Sequence, residues 1–454
     1  MDYSALRQDL PAGPPPNRVT SDPGTQGRLP AAVLDVELHK PLRAIPAIGP
    51  DGRRTERVWL LVRFFTEPIG AVLLDVPERG LSRADLATAI DAELGVALAP
   101  RLAACGLDEL PVDGATPAVL PPYLVRRREV LRNAPEITVV VCTRERPGPL
   151  ASCLESLRAQ QYPRMRVLVV DNAPTSSATA QVVDAAADEM DIRYLVEPRP
   201  GLSHARNRAV AEAPGQILAW LDDDEIADPY WLSEVARALA DHPEADVISG
   251  VIVPAELETD PQLWFEQFGG HSKGRGFTAD VFSPATAARQ SPLYPLPAFG
   301  TGANMTFRPG VIERIGGFDA ALGAGTPAMG SEDTLAFMQV LLSGGTVVYQ
   351  PSALVRHFHR RDLAGLRKQM VGYGIGLTAA YTSLLRRDPR LLWPLLRLVP
   401  TAVRDVLGAG SLRVAGLRDD FPRELLGENR RAMLAGPAAY LRGRRALRQR
   451  RTRR

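Results

Sequence analysis

At 454 residues the chain is long enough for two or three folded units, and 45% hydrophobic with 23% charged residues is the balance of an ordinary globular protein. Three scattered cysteines, Cys105, Cys142 and Cys153, with no C-x-x-C pair, exclude a disulfide framework, and the opening MDYSALRQDLPAGPPPNR lacks an apolar run, so the expectation is a cytoplasmic protein. Net charge is +2, but Lys40, Lys273 and Lys368 are the only lysines and eight arginines crowd into Arg442–Arg454 with no acid among them. The arginine excess is that of codon bias, and the terminal block is either a solvated tail or a surface for anionic lipid or nucleic acid.

Residues 1–30 are rich in Pro, Gly and polar groups without periodicity and read as a disordered lead-in. Residues 31–132 read as a small α+β unit. Val58–Phe65 and Gly70–Val76 are two strands about a turn at Glu67-Pro68, and a helix runs over Ser82–Leu94 with Ser82 as N-cap and a stripe of Leu86, Ile90 and Leu94. From Pro135 the pattern alternates: strand Ile137–Thr143, a helix with inner face Leu150, Cys153, Leu154 and Leu157, strand Val167–Val170, helix Ala178–Asp188, strand Ile192–Val196, helix Leu202–Ala213 and strand Ile217–Leu221. Continuous apolar runs with short connections predict a doubly wound parallel sheet, whose ligands bind at the strand C-termini. Between Ser249 and Phe307 the regularity drops and the aromatics Trp264–Phe299 gather. A helix over Ser331–Leu342, a strand Thr346–Tyr349 and further helices follow.

The sharpest chemical signal is Asp222-Asp223-Asp224 directly after a strand. Three consecutive carboxylates repel one another unless a cation sits among them, and oxygen ligands suit Mg²⁺ or Mn²⁺. The plain alternative is an acidic turn capping the helix near Pro229. Asp171 ends the second strand in VLVVDN, where an acid often binds a nucleoside, although Asp-Asn is also turn chemistry. Arg206 lies one turn into the helix opened by Gly201-Leu202-Ser203, within reach of phosphates or merely exposed. Asp333 follows Glu332 at a helix start where Ser331 and two acids are ordinary capping chemistry; the functional reading makes Asp333 a general base. His357 and His359, two apart in VRHFHR, share one face of a strand and suit a metal or a diphosphate.

Taken in order, ITVVVCTRERP, VLVVDN, GLSHARNRA, ILAWLDDDEIADPYWL, GTGANMTFRPGVIERIGGFD, GSEDTLAFMQVLLSGG and VRHFHR resemble family 2 glycosyltransferases over Pro135 to Gly376. The resemblance implies a GT-A (Rossmann-like) α/β domain over 135–376, a helical extension over 377–454, an inverting mechanism and a divalent metal. It also implies roles: Thr143 and Asp171 on the nucleoside, Arg206, Asp222 and Asp223 on the donor, Asp224 and His357 on the metal, and Asp333 as base. Processive members carry Q-x-x-R-W after the base, whereas this chain has RKQMVGYGIG, so a single addition is expected.

The expected partners are a UDP- or GDP-linked sugar donor and a glycan, lipid or small-molecule acceptor, with the Trp264–Phe299 aromatics on the acceptor side and no nucleic acid. Leu391–Pro400, interrupted by Arg397 and two prolines, is too short to span a bilayer but with the basic tail suits an anionic membrane surface on its inner face. Two rivals were open to the residues: a sugar nucleotidyltransferase, which would want a glycine run where Arg144-Glu145-Arg146-Pro147 stands, and a non-catalytic nucleic-acid- or membrane-binding protein.

Overall fold

The computed structural model describes residues 28–115, 117, 119–271, 275–295, 298–407 and 417–452. The expected lead-in lies outside the described residues except for its last three, and so do the last two arginines of the tail.

The N-terminal region begins with short strands β1 (Arg28–Leu29), β2 (Ala32–Glu37) and β3 (Arg54–Thr55), followed by β4 (Arg57–Phe64) and β5 (Glu67–Asp75). β2, β4 and β5 form one sheet with β4 in the middle. Alternation along β4 explains its placement. Val58, Leu60, Val62 and Phe64 pack on helix α1 (Arg83–Ala104), while Trp59 and Leu61 turn to the core of the larger sheet described below. A strand apolar on both faces must be covered on both, so this unit is packed onto the rest of the molecule. Ser82 caps α1 as expected, in a reciprocal capping box with Asp85, and the helix continues ten residues past Leu94. Helix α2 (Pro122–Leu131) then leads out, and its Val130 already belongs to the core of the next unit.

That unit is built on a nine-stranded sheet. Its first half runs as the sequence predicts: β6 (Ile137–Thr143), α3 (Pro147–Arg158), β7 (Met165–Asn172), α4 (Ala178–Ala186), β8 (Ile192–Glu197), α5 (Leu202–Glu212) and β9 (Ile217–Asp222). The second half is β10 (Glu225–Ala227), α6 (Trp231–Asp241), β11 (Val247–Pro254), α7 (Asp260–Gln267), β12 (Asp280–Phe282), β13 (Asn304–Phe307), α8 (Val311–Arg314), α9 (Glu332–Leu342) and β14 (Val347–His357). Strand order is β10-β14-β11-β13-β9-β6-β7-β8, with β12 also on β14. The sheet is mixed, which corrects the expectation of an all-parallel one: β13 inserts antiparallel between β9 and β11, and β10 and β12 run antiparallel to β14. Residues of β6 alternate between the two cores, Val140 and Cys142 on one face and Ile137, Val139 and Val141 on the other.

Helix α10 (Leu363–Arg387) runs unbroken through position 376, where the helical extension was expected to begin. It packs against α12 (Glu424–Met433) and α13 (Gly436–Thr452) after α11 (Leu392–Leu407) has crossed the surface. α11 stays helical through Pro400, so the prolines do not break it. All three cysteines are free and buried.

Candidate functional site

The register of the parallel strands brings the first groups together. Cys142 of β6 pairs with Asp222 of β9, and Thr143 pairs with Asp171 of β7, so all end at one sheet edge. Thr143 is consequently level with the residue after β9, and its hydroxyl donates to Asp223 at 2.6 Å. Above this edge lies a cavity of about 880 Å³ whose wall includes Thr143, Arg206, Asp222, Asp223, Asp224, Asp333 and His357. Asp171 is the exception among the predicted residues. It is fully buried, accepts from the Tyr194 hydroxyl at 2.8 Å, and its neighbour Asn172 is on the wall instead. Burial pushes the Asp171 carboxyl up from its ordinary value.

The three aspartates do not share one environment. Burial pushes Asp222 up to about 6 against the nearby charge of Arg206, and pushes Asp223 up to about 7 against Arg146. For Asp224 burial acts the same way, but the Arg146 and Arg360 charges beside it outweigh burial and hold the carboxyl below its ordinary value. Arg146 donates to both Asp223 and Asp224, the latter at 2.9 Å. It was missed as a site residue. Its signal was present: a cation three residues past the end of β6, the strand that neighbours the one carrying the aspartates.

β10 doubles back from the aspartates and pairs Glu225 with His357, which carries His357 to the same place from the far end of the chain. His357 Nε2 lies 3.7 Å from Asp224 Oδ1. That is too long for a hydrogen bond, but close enough for both groups to ligate one divalent ion. Burial drives the imidazole down to about 3, so it is neutral and able to donate a lone pair. Arg360 approaches Asp224 at 3.8 Å, and Arg144 and Lys368 also stand on the cavity wall.

Arg206 is 1% exposed. Its guanidinium donates to Glu332 at 2.8 Å and to the Gly302 carbonyl at 3.0 Å, and it stands 3.6 Å from Asp222. It thus ties the end of β9 to the start of α9. Burial raises the Glu332 carboxyl despite this partner. Asp333, one residue on, accepts from the backbone N–H of Gly302 at 2.6 Å through Oδ2 and of Thr334 at 2.7 Å through Oδ1. Ser331 does not act as the expected cap: its side chain makes no capping bond, and both it and Met329 hold left-handed backbone, with φ of 66° and 65°. Non-glycine residues in that region cost about 1–3 kcal/mol each and gather where a side chain must be aimed. Here the turn aims Glu332 at Arg206 and Asp333 at the cavity.

The aromatic stretch expected on the acceptor side is mostly interior. Phe265, Phe282 and Phe299 are buried in the cores, and of the predicted aromatics among the described residues only Phe268 and His271 reach the cavity wall. Flat rings between glycines and prolines look alike in sequence whether they stack on a sugar or on one another.

Residues 138–316 match the family described as glycosyl transferase family 2. The succinoglycan biosynthesis protein ExoM of Rhizobium meliloti is 31% identical over 242 residues, 51% of this chain and 71% of that protein. A glucosyl-dolichyl phosphate glucuronosyltransferase of Haloferax volcanii is 25% identical over 231 residues, 49% of this chain and 69% of that one. Among solved structures, a mannosyltransferase from Pyrobaculum calidifontis in complex with GDP-Man and Mn²⁺ is 21% identical, covering 70% of this chain and 82% of that one with a TM-score of 0.42.

Proposed function

We infer that this chain, which belongs to glycosyl transferase family 2, passes one sugar at a time from a UDP- or GDP-linked donor to an acceptor hydroxyl, inverting the anomeric carbon. The observation that carries the reading is the meeting in one cavity of Asp222, Asp223 and Asp224 with Asp333, while Arg206 ties Asp222 to Glu332, the neighbour of Asp333. Family membership disfavours the nucleotidyltransferase and non-catalytic alternatives.

Asp224 and His357 would hold a divalent ion, Mg²⁺ or Mn²⁺, and their 3.7 Å separation supports the fit. When bound, such an ion neutralises the diphosphate that departs. The chain's own residues supply the rest. Thr143 sits where a nucleoside would enter, and Asp171, paired with it in register and bonded to Tyr194, would support that end of the site from beneath the wall. Arg144, Arg360 and Lys368 offer cationic donors to phosphate oxygens. Arg206 positions Asp222 and Glu332. Asp333 takes the proton of the acceptor hydroxyl as that oxygen attacks the anomeric carbon, and the bond from that carbon to the diphosphate oxygen breaks. Two backbone N–H groups hold the Asp333 carboxylate still, so attack occurs from one side only.

For the acceptor, the names of the relatives support a glycan or a lipid-phosphate-linked sugar. α11 supports a membrane-facing site. No helix among the described residues is long and apolar enough to cross a membrane. Yet α11 turns Leu392, Trp393, Leu396, Val399 and Val403 outward, each at least 46% exposed, while its Asp405 stands on the cavity wall. An exposed apolar stripe on a helix that also reaches the cavity wall, in a chain with an arginine-rich α13, fits an anionic membrane surface.

The test is nucleoside diphosphate release from a panel of UDP- and GDP-sugars, with Mn²⁺ or with EDTA, for wild type and Asp224→Ala. Metal-dependent release from one donor, lost in the variant, is expected. No metal-dependent binding of any nucleotide sugar sinks the reading.

A further inference from the structure

We propose that Glu266 and His359 are positioning residues for the metal and fix which nitrogen of His357 is left bare. The inference rests on the reading above, in which Asp224 and His357 flank one divalent ion.

His359 is 3% exposed and is gripped by one face of α7. Gln262, Phe265 and Glu266, spaced i, i+3 and i+4, all reach it. Gln262 Nε2 donates to the His359 carbonyl at 3.3 Å, the Phe265 ring meets the imidazole edge-on at 4.8 Å, and Glu266 Oε1 stands 2.7 Å from His359 Nε2. The Glu266 carboxylate has room to do this because position 270 is glycine: a Cβ there would come within 2.5 Å of Oε1.

Proton counting then sets the direction of the chain. A carboxylate only accepts, so the proton between Glu266 and His359 belongs to His359 Nε2. In the state with one N–H on each ring, His359 Nδ1 is left an acceptor. That atom is 2.9 Å from His357 Nδ1, so His357 donates through Nδ1. His357 Nε2 is therefore bare, and it is the nitrogen that faces Asp224. A ligating histidine whose other N–H is held by an acceptor is oriented and made more basic, and loss of such a partner weakens metal binding roughly 10–100-fold. A rival use of the same rings has His271, His357 and His359, whose ligand atoms lie within 4.8 Å of one another, hold an ion of their own. If that ion took the two Nδ1 atoms, it would give up the 2.9 Å hydrogen bond between them.

The experiment is Mn²⁺ binding to the full chain with UDP or GDP present, read by electron paramagnetic resonance as affinity and as ¹⁴N coupling. Wild type is expected to show nitrogen coupling that His357→Ala abolishes. His359→Phe, a ring of similar size with no acceptor, is expected to weaken Mn²⁺ binding roughly 10–100-fold and reduce the coupling, with metal-free nucleotide binding unchanged. Glu266→Gln keeps the shape with a neutral acceptor, should show a smaller fall, and carries the test alone if the ring variant does not fold. Unchanged affinity and coupling in these variants, with Asp224→Asn still abolishing Mn²⁺ binding, overturns the positioning role alone. Zn²⁺ binding that survives Asp224→Asn and is lost in His271→Ala and His359→Phe overturns it in favour of a separate three-histidine ion. Mn²⁺–nucleotide binding untouched by Asp224→Asn removes the reading beneath it.

Discussion

Replacing Arg206 by methionine tests whether the cavity is held together by one buried cation. The guanidinium is the only cation within ion-pair distance of Glu332 among the described residues, and it also donates to the Gly302 carbonyl. Without it, a carboxylate that is 4% exposed has no counter-charge. Breaking a buried pair in this way costs about 3–5 kcal/mol, which at about 2–4 °C per kcal/mol lowers the melting temperature by roughly 6–20 °C. The cost depends on pH. Burial already raises Glu332 above its ordinary value of 4.5, with Arg206 pulling it back down, so removing Arg206 raises it further. For a carboxyl raised in the folded state, the unfolded chain gives up its proton first. Stability is whole below the ordinary value and is lost as pH rises through the folded one. Arg206→Met should therefore be mildly destabilised near pH 5 and fully so by pH 8, in thermal unfolding followed by circular dichroism. An equal deficit at both pH values, or a deficit under about 1 kcal/mol at pH 8, refutes the assignment.

Asp333→Asn keeps an oxygen for the Gly302 N–H but cannot take a proton, so kcat should fall by about 10²–10⁴ while Mn²⁺–nucleotide affinity holds; loss of that affinity instead would mark Asp333 as a binding residue. Gly302→Ala puts a Cβ 2.6 Å from Arg206 Nη2 and 3.0 Å from Asp333 Cβ, and should lower kcat in steady-state assays more than it lowers the melting temperature. Arg63→Ala leaves Asp228 buried without its partner at 2.5 Å, so a loss of about 3–5 kcal/mol is expected, with hydrogen exchange rising in β2 and β4. Trp393→Asp with Leu396→Asp should abolish co-sedimentation with vesicles containing anionic lipid; equal sedimentation of variant and wild type rules α11 out as the contact.

What the sequence made legible follows from how each element is covered. β6, β7 and β9 are largely buried on both faces, so their apolar runs announced themselves, and the ends of these strands and of β8 differ from expectation by two residues at most. β2 went unseen because AVLDVE carries charges: Asp35 bonds Arg63 and Arg356, and Glu37 accepts from the Thr66 N–H. β11 is buried throughout but its apolar run is interrupted by Ser249 and Gly250, and β13 is only NMTF between turns. β13, with β10 and β12, makes the sheet mixed, and neither length nor periodicity could mark the direction of such short strands.

The site divides along the same line. Groups that cluster in sequence were visible, because three adjacent carboxylates need an explanation wherever they fall. The partners that single residues meet from far along the chain were not. Arg146 meets aspartates 77 and 78 positions away, Arg206 meets Glu332 126 away, and Glu266 meets His359 93 away. In each case the residue read alone is an ordinary surface charge, and only burial turns it into a constraint. A buried ion or hydrogen-bonded imidazole costs the fold stability unless its partner is held in place. The strands and helices that bring those partners together must be rigid enough to hold them there. In this chain the mixed half of the sheet does that work, delivering His357 along β14, Asp333 through α9 and Glu266 on α7 to the edge where β9 ends in its aspartates. The half of the fold that was hardest to read is thus the half that completes the site.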